Sequence, residues 1–188
     1  GMAMVLLAGA ALLGRLYAAA AVRLPSGWYR RPFEAIARYR RLFLGLHVGY
    51  FGLVVLTMTM AYDLPQVQGP LMGWISGEFA SGKGLFGLAG RAYASHNIAF
   101  AAAITFLVNF VNATLVWVTA PSLVLLGAGA VVGLARSPLL GMVISPTTLG
   151  LARHMLPHVF TVLLEMEGYL LASFFALLVP VYLMRPEE

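Results

Sequence analysis

The sequence predicts an all-α protein, a polytopic transmembrane helical bundle of about five spans. Hydrophobic residues make up 61% of the 188 residues and charged residues only 10%, whereas about a quarter of the residues in a soluble domain are charged. Several separate apolar runs also approach or exceed the ~20 residues that a helix needs to cross a bilayer. Because no region is left for a soluble domain, we interpret residues 1–188 as a single integral membrane domain.

The predicted spans are the apolar runs 2–22, 42–62, 97–119, 122–144 and 157–183. The first contains Arg15 in its middle and has no basic segment before it, so we expect a retained helix rather than a signal peptide. Arg15 should either face another helix or a wet crevice, or extend its charge to the membrane surface. Gly1, which precedes a natural start methionine, is typical of an expression scar.

A basic segment, residues 23–41, follows the first span. It contains six arginines and one glutamate, an excess equal to the whole net charge of +5. Such an excess beside a span marks the cytoplasmic side, and an arginine-rich loop between spans favours anionic lipid headgroups over nucleic acid as its partner. Pro32 predicts the start of a short amphipathic interfacial helix, with Trp28 and Tyr29 at headgroup level. The candidate headgroup ligands are Arg30, Arg31, Arg38, Arg40 and Arg41.

The longest connection, residues 63–95, is rich in glycine and carries balanced charge. It should lie on the side opposite the basic segment, and its apolar pieces predict interfacial or re-entrant segments rather than a free loop. Within it, GEFASGKG nearly matches the phosphate-binding G-x-x-x-x-G-K-[ST]. Gly84 stands where the magnesium-binding hydroxyl belongs and no strand is predicted before it, so we do not expect nucleotide binding.

The third span carries three asparagines, Asn97, Asn109 and Asn112. Amides in hydrocarbon need partners, and residues three apart share a face of an α-helix, so the face with Asn109 and Asn112 should turn toward other helices. Hydrogen bonding between helices is the simpler interpretation. Contact with a transported substrate is the alternative.

Small residues mark the fourth span. Gly129 and Gly133 form a small-xxx-small motif, which lets two helix backbones approach closely. The Arg136-Ser137-Pro138 sequence then interrupts the apolar run. We expect the chain either to continue as a second short piece to Ile144 or to turn back before crossing.

Two histidines and two glutamates precede or occupy the last span. His154, His158 and Glu165 follow the 4, 7 and 11 residue spacing that returns to one helix face, while Glu167 points roughly opposite. An ionised carboxylate at this depth costs several kcal/mol, about 3 on insertion scales, so both acids should be paired, protonated or in water. The cations that could pair with them are Arg15, Arg136, Arg153 and the four histidines, which include His47, the only group of the second span that can carry a positive charge.

Three interpretations of these acids stay open: structural pairing, a proton or ion path, and a metal bound by His154, His158 and Glu165. Against the metal, the general base of H-E-x-x-H is missing and Pro157 separates the histidines. The chain has no cysteine and no G-x-S-x-G, so no catalytic residue is identified and no cofactor is expected.

The L-P-H sequence, Leu156 to His158, is followed by an apolar helix that contains a glutamate. Together with Asn97 at the start of an apolar span and a Gly-rich span from Gly127 to Gly141, it resembles the stage II sporulation protein M family over about Tyr93 to Leu178. The resemblance implies a multi-pass protein of the prokaryotic inner (cell) membrane without established catalysis. In spore formers such a protein scaffolds cell-wall hydrolases at the septal membrane.

The leading hypothesis is therefore a non-enzymatic membrane scaffold or assembly subunit. Its partners would be membrane lipids and either further copies of itself or other membrane-protein subunits. The rival is a small proton- or ion-coupled transporter or channel that uses the His158/Glu165 face of the last helix. An intramembrane metal-dependent enzyme comes third.

Overall fold

The structure, a computed structural model, describes residues 2–24, 27, 30–125, 127–146 and 155–184, with the backbone alone for 2 and 155–158. All regular secondary structure in these ranges is helical, which confirms the all-α prediction. The 3₁₀ turn Pro65–Val67 links two of the helices. The helices are α1 Met2–Arg23, α2 Arg31–Arg38, α3 Arg40–Asp63, α4 Gln68–Ala80, α5 Gly84–Ala94, α6 Ile98–Val124, α7 Ala128–Ile144 and α8 Met155–Met184.

Within the described ranges, four helices are long and apolar enough to cross a membrane: α1, α3, α6 and α8. The chain is therefore that of a membrane protein. The remaining apolar helix, α7, has 17 residues, which corresponds to about 25 Å at 1.5 Å per residue.

The boundary between α6 and α7 differs from the sequence prediction. The third apolar run extends to Val124 instead of ending at residue 119, and the next helix begins at Ala128 instead of residue 122. Pro121 does not end α6 because it lies in the first turn of an α-helical segment, where its missing N–H is not needed. The chain turns instead at Gly127, whose φ of 84° is a left-handed conformation that glycine adopts without strain.

The long connection folds as the helix pair α4 and α5. The near match to a phosphate-binding loop, Gly77 to Gly84, covers the end of α4, the turn after it and the first residue of α5, and no strand precedes it in the described ranges. Arg91 of α5 donates a hydrogen bond to the carbonyl of Gly82 in that turn. Buried Gln68 donates to the carbonyl of Met142, which attaches the pair to α7.

The core lies where α3, α7 and α8 pack together. α7 runs parallel to α3, because Leu134 lies beside Gly49 while Ser145 donates to the carbonyl of Met58. A Cβ at Gly133 would strike Ser173 of α8, so this glycine allows close approach of the two helices. α8 runs opposite to both α3 and α7.

α7 passes through Pro138 without ending. Proline removes the N–H that would have bonded to the carbonyl of Leu134. The hydroxyl of Ser137 donates to that same carbonyl at 2.7 Å and so replaces the missing bond. Of the two predicted outcomes at this position, the structure has the continuation of the helix to Ile144.

Candidate functional site

Glu167 of α8 forms a buried pair with His47 of α3. Nε2 of His47 lies 3.0 Å from Oε1 and 3.2 Å from Oε2 of the carboxylate. His47 is 8% exposed and Glu167 is 2% exposed. Tyr17, on α1, interacts electrostatically with the same carboxylate, so Glu167 lies where α8 meets both α3 and α1.

The ring of His47 is oriented by its second nitrogen. Nδ1 lies 3.1 Å from the carbonyl oxygen of Phe43. Because a carbonyl only accepts hydrogen bonds, Nδ1 carries a proton, and one further proton is shared between Nε2 and the carboxylate. The rings of Phe43 and Phe51 pack against the imidazole with centroids 4.3 and 5.9 Å away, so the pair is enclosed by apolar surface.

Glu165 lies on a different face of α8 and belongs to a second cluster. The hydroxyl of Tyr169 donates to Oε1 of Glu165 at 2.9 Å. The guanidinium of Arg136, on α7, lies over the ring of Tyr169 at 4.9 Å from its centroid, a distance typical of a cation–π contact. Glu165 is therefore held through a tyrosine that itself contacts an arginine.

Two neighbouring cavities of about 370 and 800 Å³ share Glu165 and Tyr169 in their linings. Both also include Tyr93, Thr105 and Asn109, and the hydroxyls of Tyr93 and Thr105 lie 2.7 Å apart. The larger cavity is a groove between α6 and α8, and we call it the α6/α8 groove. Its further lining includes Ile98, Phe106, Thr114, Thr161, Leu164 and Gly168.

Tyr50 lies between the His47–Glu167 pair and the cluster that contains Glu165. Its side chain is 1% exposed, and its hydroxyl has no hydrogen-bond partner among the described residues. It interacts electrostatically with Arg136, Glu165 and Glu167. Tyr50 lies ten residues into α3, about 15 Å along the helix, which is near the middle of a ~30 Å hydrocarbon layer.

The polar residues singled out in the third and last predicted spans do not form one cluster. Asn97 is exposed and caps α6, where its side chain accepts from the N–H of Phe100. Asn109 contributes to both cavities near Glu165, but Asn112 accepts a 3.1 Å hydrogen bond from the indole of Trp117.

The shared face predicted for Asn109 and Asn112 is absent because residues 108–119 form a π-helix. Its i→i+5 bonding brings residues five apart into line rather than residues three apart. The pairing of Asn112 with Trp117, five residues later, follows this rule. The sequence pattern assumed ordinary α-helical geometry, and no signal in it indicates the wider turns.

The predicted metal set falls partly outside the described residues. His154, Arg153 and the side chain of His158 are not among them, nor are Trp28 and Tyr29. The described residues contain no group of three His, Cys, Asp or Glu side chains placed to hold a metal. The alignment of His154 and His158 with Glu165 stays a prediction.

The His47–Glu167 pair was only partly accessible to sequence reasoning. His47 is the one residue of its predicted span that can carry a positive charge, and a histidine was among the expected partners for these acids. The candidate cations were named for both acids, and the structure pairs His47 with Glu167, 120 residues away. The sequence feature that indicated separate partners was the helical position of Glu167, which lies on a different face of α8 from Glu165.

The headgroup candidates lie on and beside α2. Arg30 forms an ion pair with Glu34 at 2.8 Å, one turn along the helix. The other four, Arg31, Arg38, Arg40 and Arg41, are exposed. The buried face of α2 presents Ala35 and Ile36 to the core, so this helix has the amphipathic pattern predicted for it.

Comparison with protein-family models, with curated proteins and with solved structures finds no match. The resemblance to the stage II sporulation protein M family accordingly stays a prediction.

Proposed function

We propose that the protein is a non-enzymatic subunit of a membrane complex and that the α6/α8 groove is the surface that holds its partner. The observation that carries this proposal is the position of Glu165. Its carboxylate lies in a groove whose rim residues Ile98, Phe106 and Leu164 are 86%, 67% and 64% exposed. The groove therefore opens toward the lipid rather than toward the bundle interior.

A lipid-facing groove with polar lining is unfavourable in a monomer. Asn109, Thr114 and Thr161 join Glu165 in the lining, and hydrocarbon offers none of them a hydrogen bond. Polar side chains on a membrane helix are satisfied by neighbouring helices. Only 11% of the apolar window of α6 is buried, so this helix has a large face free to contact one.

The proposal includes a topology of five spans in a prokaryotic inner membrane, with the basic segment 23–41 in the cytoplasm. Two features support a crossing by α7. It lies alongside α3 from Leu134 to Ser145, and its ~25 Å length is close to that of a tilted hydrocarbon span. The resemblance to the stage II sporulation protein M family supports the same multi-pass, non-catalytic assignment.

Site-directed crosslinking in native membranes tests the assembly proposal. The chain has no cysteine, so a single Gly168→Cys variant places one thiol in the groove, where an added Cβ meets nothing within 4 Å. Gly52→Cys is the matched control, since it is equally unobstructed and exposed but lies on α3.

With a bifunctional maleimide, Gly168→Cys should yield a discrete adduct containing a second copy or another membrane protein. Gly52→Cys should yield none, and adding Glu165→Leu should remove most of the Gly168→Cys adduct. A clean monomer at both positions, or equal adducts at both, would count against assembly through this groove.

A proton path is the second candidate function. It is favoured by the sequence of ionisable groups across the bundle, from the His47–Glu167 pair through Tyr50 to Glu165 and Tyr169. His47 borders a cleft on the α1/α3 side, while Glu165 borders the α6/α8 groove. These groups lie across the bundle at one depth, so water in the two clefts would have to connect them with the aqueous phases on the two sides of the membrane.

Proteoliposomes that enclose a pH-sensitive dye test this candidate. Under an imposed potential, wild type should acidify the vesicle interior, whereas Glu165→Gln should abolish the flux with unchanged circular dichroism. Glu34→Gln is the control, because Glu34 is exposed and pairs with Arg30 on α2, away from the buried acids. Flux that survives Glu165→Gln would eliminate this path.

A further inference from the structure

A second cleft, of about 560 Å³, lies between α1, α2 and α3 on the side of the bundle away from the α6/α8 groove. We call it the α1/α3 cleft. Its walls are apolar apart from Arg15, Arg40 and His47. Its rim residues Leu7, Leu44 and Val48 are 45%, 45% and 75% exposed, so the cleft is open to the acyl-chain region.

The two arginines of this cleft have no counter-charge among the described residues. No acidic residue lines it, and neither Arg15 nor Arg40 has an ion pair or hydrogen bond to any described residue. The neighbouring Arg30 contrasts with them, because its charge is balanced by Glu34. An unpaired guanidinium below the membrane surface is unfavourable, by up to about 3 kcal/mol at the bilayer centre, so an anion beside Arg15 is favoured.

The two guanidinium groups can reach one anion. The rings of Tyr17 and Phe43 are 5.9 Å apart, which places these residues at the same height on the antiparallel helices α1 and α3. Arg15 lies two residues deeper than Tyr17, and Arg40 lies three residues nearer the surface than Phe43. The two arginines are therefore separated by about 7.5 Å along the bundle axis, with a phosphate-sized gap between two long, flexible side chains.

We propose that the α1/α3 cleft binds one anionic phospholipid, with its phosphate between Arg15 and Arg40 and an acyl chain along the apolar wall. Arginine is suited to this role because its planar fork forms paired hydrogen bonds with phosphate. The apolar lining continues from Ala18 to Leu7 on α1, more than two helical turns in the direction in which an acyl chain runs from its headgroup.

A lipid explains the cleft better than a protein partner does. A partner helix would have to present an acidic side chain below the membrane surface, at the depth of Arg15, which is itself costly. A phospholipid brings its phosphate to the interface and its acyl chains to the cleft in one molecule. The charge pattern, cations near the surface end and apolar residues beyond, matches this molecule.

Native mass spectrometry of the purified full-length chain tests the charge requirement. Titration with phosphatidylglycerol should give one retained lipid per chain, and phosphatidylcholine with the same acyl chains should be retained at least about fivefold less. Arg15→Gln and Arg40→Gln should each weaken phosphatidylglycerol binding about fivefold, since one basic residue contributes about that factor. Arg41→Gln is the matched control, because Arg41 is exposed beside Arg40 but does not line the cleft.

Filling the cleft tests the acyl-chain site independently of charge. Gly14 lines the cleft, and a Cβ there meets nothing within 4 Å, so Gly14→Leu should fold and occupy the acyl-chain space. Gly45→Leu is the control on α3, equally unobstructed but outside the lining. We expect Gly14→Leu to lower phosphatidylglycerol retention severalfold and Gly45→Leu to leave it unchanged.

Two further results distinguish the lipid from a simple anion. Glycerol phosphate, which has no acyl chain, should not compete with phosphatidylglycerol at equal concentration. The proposal is overturned if phosphatidylcholine binds as well as phosphatidylglycerol, if Arg41→Gln weakens binding as much as Arg15→Gln, or if glycerol phosphate displaces the lipid. Arg15→Lys should bind more strongly than Arg15→Gln, and equal losses in the two variants would also contradict it.

Discussion

We predict that removing Glu167 from the His47–Glu167 pair destabilises the fold less than removing His47 does. With Glu167→Leu, His47 becomes a neutral imidazole that still donates from Nδ1 to the carbonyl of Phe43. Only the acceptor at Nε2 is then unsatisfied, a loss of about 1 kcal/mol. With His47→Leu, the carboxylate of Glu167, 2% exposed, loses the imidazole that pairs with it, and such a buried unpaired charge costs about 3 kcal/mol.

The double variant His47→Leu/Glu167→Leu should recover most of this loss. Replacing both partners of a buried pair by apolar residues is often nearly neutral, so we expect a net cost of about 1 kcal/mol and a coupling energy of about 2–3 kcal/mol between the two positions. The pair therefore specifies how α3 meets α8 more than it adds to net stability.

The assay is reversible unfolding of the purified chain by SDS in mixed bicelles, followed by circular dichroism and tryptophan fluorescence. Glu34→Gln serves as control, because its pair with Arg30 is largely exposed and should contribute less than about 1 kcal/mol. Equal destabilisation by the two single variants, or single-variant effects that simply add in the double variant, would refute the reasoning.

Three further predictions concern helix packing, a backbone hydrogen bond and membrane topology. Gly141→Ala should destabilise the fold by about 2 kcal/mol, because its Cβ would strike the backbone of α3. Gly52→Ala, where nothing lies within 4 Å of the added Cβ, should not destabilise it, and the same SDS titration measures both variants. Ser137→Ala should cost about 1 kcal/mol in that assay, because it leaves the carbonyl freed by the following proline without a donor. In intact cells, a membrane-impermeant maleimide should label Lys83→Cys but not Arg38→Cys, since the positive-inside rule places the basic segment in the cytoplasm; the reverse labelling would contradict the proposed orientation.

The apolar runs alone predicted an all-helical membrane protein, and the structure confirms this coarse architecture. The residues at which the helices begin and end were harder to predict from the sequence. The predicted spans ended at residue 119 and began again at residue 122, on either side of Pro121, but this proline lies in a helical turn that needs no N–H at that position. The true break is at Gly127, one glycine among several in that run, and only the packing around it identifies which one turns.

The sequence by itself determined that two carboxylates lie within the last apolar run, where each needs a neighbour. Helical phase also placed Glu165 and Glu167 on different faces. The choice of partner depended on tertiary structure, because His47 is 120 residues from Glu167 and reaches it only when α3 and α8 run antiparallel in one particular register. That register is set by close contacts at small residues such as Gly133, whose effect depends on which helix lies opposite.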